Sequence, residues 1–274
     1  MPPRRRLDLE LVRRGLATTR RQAQEHIAAG RVTVGGAPAA KPARLVAPDE
    51  PLAVLGPPPR FVGRGGEKLD AALGHFEIAV AGREALDAGA STGGFTDALL
   101  QRGARRVVAL DVGHGQLDAR LRADPRVVVR ERTNVRHLRS GDAVGGAVDL
   151  VTADLSFISL RAVVPALLAV ARPGADLVLL VKPQFEAGRE EAARAKGVIA
   201  DPAVWRRVLE EVKGALEDHG ADIMGAMASP LTGADGNVEF LLWARAPGEA
   251  PAARRRAVDL DAVVEAVRPV AGER

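Results

Sequence analysis

The sequence predicts an α/β protein: a small basic α+β module, then a larger domain built on a parallel sheet with helices on both faces. Three observations carry this. From about residue 83, strand-like apolar runs alternate with helical ones, the order that builds a parallel sheet. Runs such as "LVLLV" are apolar at every position rather than at every second one, as strands buried on both faces are. Residues 1–60 hold eleven Lys or Arg against five acids, a net of +6, leaving −2 for the rest of a chain whose total is +4. With 274 residues, 47% of them hydrophobic, one large core and a small second domain are affordable.

The elements follow in order. Leu7, Leu11 and Val12 recur at helical spacing, and Gly15 stands where a left-handed C-cap ends that helix. Thr18 or Thr19 caps a second helix, "RRQAQEHIAA", which stops at Gly30. "RVTV" and "APAA" flank Gly35-Gly36, a hairpin turn. The module spans 1–58. The prolines of "LGPPPR" stiffen the connection, with the linker itself at 59–65. In the domain 66–250, "EALDAG" precedes the helix "GGFTDALLQRGA", and "RRVVALD" follows it. "RVVVRE" leads to "VDLVTAD", the helix "LRAVVPALLAVARP" and the strand "DLVLLVKP". A helix at "PAVWRRVLEEVKGALEDHG" and the strand "NVEFLLWAR" close the domain. Residues 251–274 form an Arg-containing helical extension.

Composition removes several chemistries. There is no cysteine, hence no disulfide, thiolate zinc site or cysteine nucleophile, which fits a reducing cytoplasm. The five histidines are scattered, so no metal site is expected. The basic N-terminus lacks a following apolar stretch of signal-peptide type. "AVVPALLAVA" is too short to span a bilayer, and no membrane partner is expected.

Ligands on open α/β sheets bind beyond the carboxyl ends of the strands. Those ends read Asp87, Asp111, Asp154 and Lys182. Burial at such an end disfavours an ammonium charge, which makes Lys182 a candidate base. The loop "LDAGASTGGF" does not have the spacing of a dinucleotide fingerprint, and no lysine lies between Lys68 and Lys182 to complete a Walker loop. What remains is a loop of close backbone approach ahead of a helix N-terminus that attracts a carboxylate. Asp111, about twenty residues on, is placed for ribose hydroxyls. S-adenosylmethionine has the carboxylate, the ribose and no phosphate, and it is the expected cofactor. Without cysteine, the usual covalent route to a C5-methylpyrimidine is closed. "VKPQF" departs from the Asn/Asp-Pro-Pro-aromatic loop of exocyclic-amine methyltransferases. A sugar hydroxyl activated by a lysine base is the better acceptor.

The N-terminal "RLDLELVRRGLATTRRQAQEHIAAGRVTVGGAPAAKP" resembles an S4 RNA-binding domain. "FVGRGGEKL", "LDAGASTGGFTDALL", "ALDVGHGQL", "ERTNVRHL", "DLSFISL", "VKPQFE" and "SPLTGADGNVEF" occur in the order seen in TlyA-type rRNA 2′-O-methyltransferases, whose catalytic domain is FtsJ/RrmJ-like. The resemblance spans almost the whole chain. It implies a Rossmann-like, S-adenosylmethionine-dependent methyltransferase domain behind the S4 domain. It further implies a catalytic set of Lys68, Asp154, Lys182 and Glu239. In that set Lys182 deprotonates the 2′-hydroxyl, the nearness of Lys68 keeps Lys182 uncharged, and the two acids orient the lysines. The cofactor contacts implied are Asp87, Gly89, Ala90, Ser91, Thr92, Gly93, Gly94, Phe95, Asp111, Val112, Asn134 and Asp154. The RNA contacts expected are Arg4, Arg6, Arg13, Arg14, Arg20, Arg21, Lys41, Arg64, Arg132 and Arg189, with Arg136 as a further candidate. The implied substrate is cytidine ribose in the rRNA of 30S or 50S subunits or both, with no obligate protein partner. With 3% aromatic residues and no tyrosine, recognition leans on RNA shape and phosphates. Gly63 stands where that family has serine in "VSRGG". Two other classes stand beside this reading: a non-catalytic RNA-binding or ribosome-assembly protein, and a membrane-active haemolysin. The second lacks a membrane-active apolar element in the sequence.

Overall fold

A computed structural model of the chain describes residues 4–17, 20–57, 59–139, 146–233, 235–248 and 258–267. The chain divides into two compact units, Met1–Arg60 and Phe61–Arg274. The proposed caps Thr18 and Thr19 lie outside the described residues, as does most of the C-terminal extension.

In the first unit, β1 (Arg5–Arg6) runs into α1 (Leu7–Arg13), followed by α2 (Arg20–Ala28). Then come β2 (Val32–Val34), β3 (Ala37–Pro38), β4 (Leu45–Val46) and β5 (Leu52–Val54). Antiparallel pairs β1–β4, β2–β3 and β2–β5 give a two-stranded ribbon and a three-stranded sheet. Gly35 and Gly36 both have positive φ, as the expected hairpin requires. Leu7, Leu11, Ala23, Ile27, Val32, Val34 and Val46 form the core. Two acids of α1 are buried with them, Asp8 and Glu10, each held by arginines.

The second unit begins earlier than the expected linker would allow. Phe61 and Val62 are buried, and α3 (Arg64–His75) starts within the stretch 59–65. The elements are then β6 (Glu84–Ala88), α4 (Gly94–Gln101), β7 (Arg106–Leu110), α5 (Ala119–Ala123), β8 (Val127–Arg130) and β9 (Val148–Ala153). After these come α6 (Val164–Val170), β10 (Ala171–Val181), α7 (Pro183–Glu186), α8 (Arg189–Arg194), α9 (Pro202–Asp218), β11 (Asp222–Ala228), β12 (Phe240–Arg245) and α10 (Leu260–Glu265). The sheet order is β11-β12-β10-β9-β6-β7-β8. β8, β7, β6, β9 and β10 are parallel, as expected from the alternation. β12 is not: it runs antiparallel to both β10 and β11. Among the described residues no helix intervenes between β11 and β12 to carry the chain back across the sheet, so β12 returns in the opposite sense. The helix expected to reach Pro173 ends at Val170, and Arg172 and Pro173 belong to β10.

Alternate residues serve opposite faces of the sheet. Leu86, Val108, Val151, Leu177, Leu179 and Phe240 pack with α6 and α9. Ala85, Val107, Ala109, Leu150, Val178, Leu180 and Leu241 pack with α3 and α4. Extending the second set by one alternation reaches Asp87, Asp111, Lys182 and Glu239, and by two reaches Asp154. The strand ends that carry chemistry therefore continue the rows on the α3/α4 side.

Candidate active site

The register explains why four residues far apart in sequence meet. β12 enters the sheet where β10 leaves it, with Val181 opposite Phe240, so Lys182 and Glu239 lie side by side at one edge. β9 pairs with β10 up to Ala153 and Leu179, so Asp154 leaves the sheet beside Lys182. Lys68 comes from α3, one turn before the buried Ala72 and Leu73.

Two ion pairs result. Lys182 Nζ lies 2.5 Å from Asp154 Oδ1 and donates to Ser156 Oγ at 3.1 Å. Lys68 Nζ donates to Glu239 Oε2, and that pair is almost fully buried. The expected crowding of two cations is thus replaced by two lysines each neutralised by its own carboxylate. Glu239 is not a solvent-facing strand residue: only 3% of it is exposed, while Val238 and Phe240 point to the other face. Arg64, expected on RNA, donates from the start of α3 to the Thr232 carbonyl at 2.8 Å.

The glycine loop turns out to serve two purposes. Gly89 has φ +87°, and a Cβ there would meet the Asp154 carbonyl at 2.4 Å, so this glycine lets β6 and β9 end against each other. Gly94 faces protein: its Cβ would lie 2.9 Å from the backbone nitrogen of Gly66 in α3. A Cβ at Gly93 would strike Leu121 and Leu117. Sequence reasoning gave all three to the cofactor, whereas close packing already accounts for Gly93 and Gly94. Phe95 is likewise a core residue.

Asp87 is fully buried and accepts a hydrogen bond from Thr96 Oγ1 at 2.7 Å. Its Oδ1 has no hydrogen-bond partner, and burial pushes its pKa up to about 7. It lies beneath the loop and fixes β6 to α4. Asp111 is better placed for a ligand. Its two oxygens accept from the backbone N–H groups of Ser91 (2.8 Å) and Gly113 (2.6 Å), which leaves each a further lone pair. It borders a shallow surface depression lined also by Ala90, Ser91, Gln116, Val129 and Glu131. Ser91 has φ +49°, Val112 is 68% exposed, and Asn134 caps the short turn 135–137 through Arg136 N–H. A ribose-bearing ligand without phosphate fits this set: a fixed carboxylate, apolar walls, and a helix N-terminus opened by the loop. Among the described residues, no group of three or more His, Asp or Glu is able to hold a metal ion. Nor is any helix among them long and apolar enough to cross a membrane.

The basic module shows what its arginines do at rest. Arg6 and Arg20 bind Asp8, joined by Gln24, and Arg6 foremost holds that carboxyl well below its usual range. Arg13 and Arg14 share Glu10, with Arg13 chiefly lowering its pKa. Arg14 also donates to the carbonyls of Ala47, Pro48 and Glu50, so it braces the fold. Arg6, Arg13 and Arg20 remain 38%, 49% and 54% exposed at the side chain, enough to face a polyanion as well. Arg4 and Lys41 are exposed, as are Arg132 (φ +54°) and Arg136 in the larger unit. The side chains of Arg21 and Arg189 lie outside what is described. Sequence reasoning missed Ser156 and Glu186. Both sit within quoted motifs, but nothing in a serine or glutamate of a loop signals which lysine or loop it will hold.

With this geometry in hand, comparison with known proteins is informative. Residues 61–246 match the FtsJ-like methyltransferase family, and residues 5–52 match the S4 domain. A Mycobacterium tuberculosis protein named 16S/23S rRNA (cytidine-2′-O)-methyltransferase TlyA is 54% identical over 246 residues, covering 89% of this chain and 91% of its own. A solved Streptococcus thermophilus structure named as a hemolysin is 37% identical, with TM-score 0.74, over 97% of this chain and 96% of that one. A Listeria monocytogenes structure named as an S-adenosylmethionine-dependent methyltransferase shares the fold alone, at 14% identity and TM-score 0.50, over 67% of this chain and 99% of that one.

Proposed function

The chain belongs to the FtsJ-like methyltransferase family, and on that premise we propose that it methylates the 2′-hydroxyl of cytidine in ribosomal RNA, using S-adenosylmethionine. The observation that carries this reading is the pair of lysine–carboxylate bridges beside the Gly89 loop. A 2′-hydroxyl is a poor nucleophile until a base takes its proton, and Lys182 is the group able to do so. The Lys182–Asp154 ion pair first releases the lysine proton to solvent, and the freed amine then accepts the hydroxyl proton at Nζ as the oxygen takes up the methyl group. Asp154, 2.5 Å away, stabilises the ammonium that forms. Lys68 and Glu239, buried and mutually neutral, wall the other side and orient the ribose. The cofactor would supply an electrophilic methyl on a sulfonium, whose sulfur–methyl bond breaks to leave a neutral thioether. Gly89, Ala90 and Ser91 would cradle its amino-acid end and Asp111 its ribose. Because the methyl must lie in line with the oxygen, much of the rate comes from positioning.

The S4 unit supports an RNA substrate, and the 54%-identical relative's name supports cytidine in 16S and 23S rRNA. We assign the chain to 30S and 50S subunits on that basis, and hence to the cytoplasm where they are made.

The test is methylation of 30S and 50S subunits from a strain lacking this modification, with radiolabelled S-adenosylmethionine and full-length protein. The labelled RNA is hydrolysed in alkali, because a 2′-O-methyl group blocks cleavage at the adjacent phosphate. Label in alkali-resistant dinucleotides, lost by roughly 10²- to 10⁴-fold in Lys182→Ala with cofactor binding retained, is expected. Label on the bases would sink the ribose reading.

A further inference from the structure

We infer that Glu186, buried behind the site, is a positioning residue for methyl transfer: from α7 it fastens the loop that carries Asp154 beside Lys182. The inference rests on the reading of the site proposed above. Beyond Ala153 and Leu179 the β9–β10 ladder ends, and the Asp154 N–H turns to the Ala88 carbonyl of β6 at 3.0 Å, so no bond between β9 and β10 fixes Asp154 relative to Lys182. The chain after Asp154 forms a loop to Ser159, while the chain after Lys182 turns at once into α7. Glu186 rejoins them. Its Oε1 accepts the Leu160 N–H at 2.6 Å and its Oε2 accepts the Ser159 hydroxyl at 2.5 Å. Its carbonyl also accepts from Arg161 Nη2 at 2.9 Å.

The loop needs such an anchor. Phe157 holds φ +65°, a region that bulky side chains rarely enter, and the residue is 92% exposed. Such a conformation persists only where flanking contacts over-determine it. On one side the contact is Ser156, which accepts from Lys182. On the other it is the Ser159–Leu160 pair on Glu186. Burial raises the carboxyl of Glu186, while these two donors and the Arg161 guanidinium, 3.6 Å from Oε2, oppose the rise. A group that only stabilised the fold would serve as well anywhere. This one joins the two segments that deliver the ion pair.

The experiment uses the full chain with 30S and 50S subunits and compares Glu186→Gln, Ser159→Ala and a control, Asp201→Ala. Asp201 caps α9 through Ala203 N–H and touches neither segment. The readouts are kcat, KM for S-adenosylmethionine and Tm. Loss of a bond to a charged group predicts a fall in kcat of about tenfold for Glu186→Gln, with an intermediate fall for Ser159→Ala. KM for the cofactor should stay within about twofold, because Gly89, Ala90, Ser91 and Asp111 follow β6 and β7 and the Asp154 N–H keeps its bond to the Ala88 carbonyl. Asp201→Ala should lower Tm and leave kcat alone. An unchanged kcat in folded Glu186→Gln overturns the inference, as does a kcat that falls only with the folded fraction. If Glu186→Gln fails to fold, Ser159→Ala decides: wild-type kcat there overturns it. Wild-type label on bases overturns the parent reading, yet the same kcat split for that product would still support Glu186 as the anchor.

Discussion

Asp87 shows how a residue that looks like a ligand contact is decided by its surroundings. At the end of an apolar strand it had the position of a cofactor contact, yet its carboxyl is sealed under α4 and bonded to Thr96. Burial, more than its other neighbours, lifts its pKa from 3.8 to about 7. Below about pH 4 both folded and unfolded chains carry this proton, so it costs nothing. Between about pH 4 and pH 7 the unfolded chain has lost it and the folded chain keeps it, so stability falls as pH rises, then levels off. Asp87→Asn retains an acceptor for Thr96 and has no charge to bury. It should gain up to about 4 kcal/mol over wild type at pH 8 and nothing near pH 4. Denaturant unfolding across that range measures it, and parallel wild-type and variant curves would contradict the buried-acid account.

At the scale of elements, α3 and α4 meet backbone to backbone, and their glycines set the distance. Gly94 lies where a Cβ would be 2.9 Å from Gly66 nitrogen, whereas Gly214 in α9 has nothing within 4 Å. Alanine favours a helix interior over glycine by about 0.8–1 kcal/mol, so Gly214→Ala should raise Tm. At Gly94, the first residue of α4, any smaller propensity gain is outweighed by overpacking against backbone that has no rotamer to give, about 1–3 kcal/mol. Gly94→Ala should lower Tm. It should also reduce methyl transfer, since Lys68 rides on α3. Opposite signs for the two variants in one calorimetric series are the expected result, and equal signs would refute the contact. The glycines of "TGGF" were legible as a loop of close backbone approach. That Gly94 answers the backbone of Gly66 in α3 was not, because the contact joins segments nearly thirty residues apart.

For the whole molecule, the charge asymmetry of +6 against −2 predicts association driven by phosphate contacts. The logarithm of the binding constant for an rRNA fragment should fall linearly with the logarithm of salt concentration. Arg132→Ala, which removes an exposed guanidinium, should flatten that slope by about one while leaving cofactor affinity unchanged. Arg14→Ala should behave differently. Arg14 holds three carbonyls in place, so its loss should lower Tm as well. Filter binding over a salt series separates the two, and an unchanged slope for Arg132→Ala would remove that residue from the interface.

The sequence by itself determined the α/β class, the division into a basic module and a sheet domain, and the four strand-end residues, while Lys68 was pointed to by the family resemblance alone. These are local properties: alternation, apolar runs and motif spacing persist whatever the chain does at a distance. Only the tertiary structure decided that β12 runs antiparallel and so brings Glu239 beside Lys182. It also decided that the lysines are separately paired, that Gly93 and Gly94 pack against protein, and that Glu186 ties the Asp154 loop to α7. Each depends on contacts between segments far apart in the chain, where burial and hydrogen-bond geometry, not residue type, choose the partner.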